Sequence, residues 1–147
     1  MKLTEIAKFC KKHVPSFKEW SDEQLLTLLD FYTSNGFLQA IVVDIEGNEA
    51  IAAIGMARPV NDINKAMTDP YYFDTLGNII FIENAISIMP GAIDMLWNVL
   101  EKRLGYRDFI AFTRSKHDGR LSKYPTTKLD HFKRIFKQAE IQNYYLN

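Results

Sequence analysis

The stretch Asn78–Arg114, NIIFIENAISIMPGAIDMLWNVLEKRLGYRDFIAFTR, decides the fold. Asn78–Ile88 reads as a strand. Ile80, Ile82, Asn84, Ile86 and Ile88 fall on one face, and Ile79, Phe81, Glu83, Ala85 and Ser87 on the other. Both faces are largely apolar, which places the strand in a sheet interior. Pro90-Gly91 breaks it, and the pattern then turns helical over Ala92–Leu104, with Ile93, Leu96, Trp97, Leu100 and Leu104 at helical spacing. Gly105 stops the helix, and Asp108–Arg114 reads as a second strand around Phe109-Ile110-Ala111-Phe112. A strand that enters a glycine turn and opens a helix leaves backbone N–H groups aimed at one spot, which suits an anion such as a phosphate.

Upstream, two helices and a hairpin precede this unit. Thr4 is positioned to cap a helix over residues 5–13, with Leu3, Ile6, Phe9, Cys10 and His13 near one face, and Pro15 ends it. Ser21 and Gln24 form a capping-box pattern opening a helix through Leu25, Leu26, Leu28, Leu29 and Tyr32, stopped by Asn35-Gly36. Leu38–Ile45 and Ala50–Arg58 read as strands joined by the turn Glu46-Gly47-Asn48-Glu49. The alanines and Gly55 of the return strand leave room for a close neighbour. Pro59–Gly77 is a long connection holding Asp69-Pro70-Tyr71-Tyr72-Phe73, either a functional, mobile loop or an aromatic plug over the core.

Downstream lies a basic connector with Arg114, Lys116, His117, Arg120 and Lys123. Thr126 or Thr127 is expected to cap a last helix striped by Leu129, Phe132, Ile135, Phe136 and Ala139. The tail Asn143–Asn147 reads as a final strand or a docked end.

The 147 residues fit one domain, 1–147, and 47% of them are apolar, enough for a real core. No apolar run approaches the length of a membrane span, and the start, Met1-Lys2-Leu3-Thr4-Glu5, has no apolar signal core. Cys10 is the single cysteine, so an internal disulfide is impossible. These features lead us to expect a cytoplasmic protein. Net charge is zero but uneven: residues 31–100 carry two basic and eight acidic side chains, residues 101–147 eleven basic and five acidic. The C-terminal third is the natural anion-facing part, unless the two halves simply attract each other within one fold.

The order helix, helix, strand, strand, strand, helix, strand, helix is similar to that of the GNAT acyltransferase superfamily, over residues 3–114. Arg114 through Lys123-Tyr124-Pro125 to Leu129 resembles phage-type members. The resemblance implies an α/β (α+β) fold with a mixed, mostly antiparallel sheet flanked by helices. It implies acetyl-CoA as cofactor, with its pyrophosphate at the loop before Ala92–Leu104 and its pantetheine between Ile79–Ile88 and a splayed Phe109–Thr113. The loop here carries one glycine, Gly91, and no basic residue, and Asp94 sits in the first helical turn. If the two strands are antiparallel neighbours, this geometry is lost.

Glu83 is the candidate general base, because a carboxylate on an interior strand can accept the proton of an amine that attacks a thioester. Strict alternation puts Asn84 on the opposite face, so the two share a pocket only across a bulge. Backbone groups of Ile86 and Ile88 are implied as pantetheine partners, and the N–H groups of Gly91, Ala92 and Ile93 as phosphate donors. Pro90 offers none. Arg114, Arg120 and Lys123, with Lys116, are candidates for the adenosine 3′-phosphate or a nucleic-acid backbone, and Tyr124 for stacking on a base. Cys10 and His13 do not make a metal site. The function expected is transfer of an acetyl group to an amine. The alternative is a non-catalytic phage or accessory protein of the same fold that binds nucleic acid or a protein through its basic third.

Overall fold

The computed structural model describes residues 2–115, 121–123 and 126–134. Helix α1 spans Leu3–His13 and buries Ile6, Phe9 and Cys10. Thr4 lies inside it. Lys2 holds the N-cap position without a side-chain bond, because the helix starts earlier than the expected cap. A 3-10 turn, Pro15–Phe17, leads to α2, Asp22–Ser34. Here the capping box forms as read: the Ser21 Oγ accepts from the Gln24 N–H, and the Gln24 side chain from the Ser21 N–H, both at 3.1 Å.

Strands β1 (Leu38–Ile45) and β2 (Asn48–Val60) form an antiparallel hairpin. Its turn is only Glu46-Gly47, both at positive φ (53° and 84°), the backbone twist that matches a two-residue hairpin loop. Strand β2 therefore starts earlier than expected, and it also runs on to Val60. Every residue from Ile51 to Val60 is buried.

Strand β3 spans Ile79–Ser87, α4 Ala92–Leu104 and β4 Phe109–Ser115. β3 is antiparallel to β2 and parallel to β4. A parallel pair requires a crossover, and α4 is that crossover. Two short strands, β5 (Leu121–Lys123) and β6 (Thr127–Lys128), flank the far side of β4, which completes a mixed sheet in the order β1-β2-β3-β4-β5. A helix follows over 129–134. Thr127 is thus a strand residue and not the expected cap, since its segment pairs with Phe109 and Ile110. Ile135, Phe136, Ala139 and the tail lie outside the described residues.

Helix α4 packs on β2, and Gly55 is the reason it can come so close. A Cβ on Gly55 would stand 2.7 Å from Leu100 Cδ1 and 3.0 Å from Leu96 Cδ2. The connection after β2 holds a short helix, α3 (Ile63–Thr68), which the sequence reading lacks. Asp62 caps it, its carboxylate accepting from the Lys65 N–H at 3.1 Å. The aromatic run beyond α3 is a plug: Phe73 packs edge-on against Phe37 (5.1 Å) and tilted against Phe31 (5.9 Å), and Tyr71 meets Phe31 at 5.0 Å. Among the described residues no helix is long and apolar enough to cross a membrane.

Candidate functional site

The parallel ladder between β3 and β4 runs from Ile79↔Phe109 to Ile82↔Phe112 and stops there. Beyond it β4 turns its pairing to β5, Thr113↔Lys123 through Ser115↔Leu121. Further along β3, Asn84–Ser87 pair with β2 and with no other strand among the described residues. The two parallel strands part at this point.

The point of parting is also a bulge. Met56 pairs with Asn84 and Ala57 with Ile82, so Glu83 is an extra residue with no partner of its own. Ladder partners share a face. Phe81, opposite Arg58, lies on the α2 side, and so does Asn84, opposite Met56. Glu83, bonded to Arg58, lies there too. The strict alternation read from the sequence is therefore broken: Phe81, Glu83, Asn84 and Ile86 face α2, and Ile80, Ile82, Ala85 and Ser87 face α4. The bulge puts Glu83 and Asn84 on one face, and the cavity at the parting of the strands is lined from both faces, by Ile82 and Ala85 as well.

That cavity has a volume of ≈ 640 Å³. Glu83, Asn84 and Ile86 of β3 form one wall, and Leu96 and Trp97 of α4 another. His13, Phe17 and Trp20, from the end of α1 and the segment before α2, close a third side, with Phe112 and Phe132 beyond. The walls are mostly apolar, with few polar groups, as in a small-molecule site. The Trp97 indole N–H is buried and has no hydrogen-bond partner among the described residues.

Beneath Glu83 lies Arg58, wholly buried. All five of its N–H donors are used. Nε donates to the Tyr72 carbonyl at 2.6 Å, and Nη2 to the Ala66 and Asp69 carbonyls at 2.7 and 3.0 Å. Nη1 donates to Glu83 Oε2 at 2.7 Å and to the Tyr32 hydroxyl. The guanidinium also lies 5.0 Å from the Phe81 ring centroid. One side chain thus ties the α3 connection, α2 and the bulge together. Burial, with the Glu83 charge adding to it, pushes the Tyr32 phenol up, against the opposing pull of Arg58. Tyr32 stays a neutral hydroxyl. Sequence reading passed over Arg58. The available signal was a lone cation closing an apolar strand, which has to find every one of its partners inside.

The Glu83 side chain keeps 24% of its surface exposed toward the cavity. Its second oxygen has no hydrogen bond among the described residues. At the start of α4, Gly91 has φ 79° and open space around its α-carbon. Two of the expected backbone donors are already engaged: Ile88 N–H donates to the Ala52 carbonyl at 2.9 Å, and Ala92 N–H to the Met89 carbonyl at 3.3 Å. The first extends the sheet and the second closes the turn. The N–H groups of Gly91 and Ile93 have no such bond among the described residues. Ile86, paired with Ile54 of β2, lines the cavity. Arg120 lies outside the described residues, as do the side chains of Arg114 and Lys123, whose backbone positions are on β4 and β5.

Cys10 is buried, and burial pushes its thiol up from 9.0 to about 11, which leaves it unreactive. Among the described residues no group of three His, Cys, Asp or Glu side chains comes together to hold a metal. No family model matches the chain, and no curated protein matches it.

Proposed function

We propose that this is an acyl-CoA-dependent N-acyltransferase of GNAT-like fold, acting on an amine. The observation that carries the reading is the parting of β3 from β4 at the Glu83 bulge, on a strand that then leads through a glycine turn into α4. An extended ligand arm fits such an opening, because β3 beyond Ile82 has no ladder partner on that side among the described residues. Acyl-coenzyme A, when bound, supplies the thioester whose acyl group passes to the amine nitrogen, with release of the thiol.

The chain's own residues divide the work. Ile86 lies along the opening. The free N–H groups of Gly91 and Ile93 are the donors at the helix start, and the dipole of α4 adds to them. They hold the phosphate end without a described cationic partner, and Asp94 in the first turn opposes them. Arg114, Arg120 and Lys123 belong to the same proposal as cations for the adenosine phosphate. The unbonded oxygen of Glu83 accepts an N–H of the amine, directly or through a water, and takes its proton as the nitrogen attacks.

Titration calorimetry with acetyl-CoA tests the reading. Binding weakened at least about tenfold by Gly91→Asp is the expected result, since Asp tolerates a left-handed backbone but places a negative charge at the phosphate donors. Absence of binding at millimolar acetyl-CoA overturns it.

A second reading has its own observation. Glu83 Oε2 is committed to Arg58, so the candidate base is also part of a structural ion pair. A protein that uses this fold to bind without transfer needs no more from Glu83 than that. Acetyl-CoA binding without turnover across an amine panel, or DNA or RNA binding that falls steeply with salt, favours this alternative.

A further inference from the structure

The cavity is larger and more apolar than an acetyl group requires. At ≈ 640 Å³ it lies within the range that takes whole small molecules. Among the described residues that line it, two side chains are ionisable, His13 and Glu83. Arg58, behind Glu83, has spent every donor and offers nothing to an anion. Asn84, brought to the same face by the bulge, adds an amide. Phe17, Trp20 and Ile86 add ring and hydrocarbon on that side, and Phe112, the ladder partner of Ile82, closes the cavity from the α4 side.

We propose that the cavity takes a small primary amine carrying an apolar, ring-sized body, its ammonium held by the free oxygen of Glu83 and its body lying against Phe17, Trp20 and Phe112. As the identity of the acceptor this rests on the transferase reading. As a binding site it stands on the geometry alone.

Three physical points select this class. A cation leaving water for an apolar cleft needs a carboxylate and benefits from aromatic faces, and Glu83 and Trp20 line the same space. Trp20 also borders a neighbouring surface hollow that carries Glu19 and Glu23, so the approach on that side is acidic. Inside the cavity the second ammonium of a short diamine would meet hydrocarbon, with no second carboxylate among the described lining residues. An anion would meet Glu83 directly.

The test is calorimetric titration of the full chain with three probes: 2-phenylethylamine, 2-phenylethanol as its neutral counterpart, and putrescine as its polar counterpart. The amine is expected to bind at least about tenfold tighter than either of the others, and Trp20→Ala to weaken it by a similar factor. Glu83→Gln is expected to erase the preference of amine over alcohol. Because that variant disturbs the Arg58 pair, the amine-to-alcohol ratio on the unsubstituted protein decides the matter by itself. Equal binding of amine and alcohol, tighter binding of putrescine, or no binding of any probe overturns the proposal. Acetyl-CoA titrated in parallel separates the two ideas. Acetyl-CoA bound without the amine defeats the amine site and leaves the transferase reading. The amine bound without acetyl-CoA does the reverse.

Discussion

Arg58 is the residue on which the local structure turns. Its charge is compensated by Glu83 and its five donors by oxygens from three parts of the chain. Such an arrangement is expensive to break from one side, because the partners stay buried without their bonds. Arg58→Met fills much of the same space but leaves the Tyr72, Ala66 and Asp69 carbonyls and Glu83 unanswered. We expect it to cost about 3–5 kcal/mol in chemical denaturation. Arg58→Lys keeps the charge but offers one ammonium in place of a planar fork, so it should restore only part of that loss. If both variants are as stable as the parent, the clamp is not what holds the α3 connection. The sequence showed Glu83 as an interior carboxylate. It could not show that the partner is twenty-five positions upstream.

At the scale of elements, what was legible followed from local chemistry. The α2 capping box, the limits of α4 and the close packing at Gly55 all come from side chains within a turn of one another or from missing bulk. The β3 bulge was not legible, since it arises from register against β2, and a one-residue slip changes the face of everything beyond it. The same holds for α3, whose six residues carry too little apolar periodicity to stand out, and for Thr127, claimed by β4. The two close-packed glycines give a graded prediction. At Gly55 the intruding methyl would meet the ends of Leu96 and Leu100, which have some rotamer freedom. At Gly77 it would meet the Val60 backbone at 2.5 Å, which cannot turn aside. Gly55→Ala should cost about 1–3 kcal/mol and Gly77→Ala more, measured as unfolding midpoints in urea. The reverse ranking would mean that the sheet end near Val60 is looser than its contacts imply.

Among the described residues Cys10 and Tyr32 are buried in the layer between α1, α2 and the sheet, and we expect that layer to lower stability in alkali. Cys10 and Tyr32 are both buried, and burial holds both in their neutral forms. The folded state therefore keeps protons that the unfolded chain gives up. For Cys10 this contribution is fully present below pH 9.0, its ordinary value, and is lost as pH rises through about 11. For Tyr32 the loss begins near its ordinary 10.0 and continues higher. The sign is the opposite of that for a paired carboxylate, whose contribution disappears in acid. Stability measured by urea unfolding should thus be level approaching pH 9 and fall beyond it. Cys10→Ala should be less stable in the neutral range, because it leaves a small cavity, yet fall less steeply between pH 9 and 11. The two curves should converge as pH rises. Parallel curves would mean that the thiol reaches water in the folded protein, and that the layer between α1, α2 and the sheet is wetter than its packing indicates.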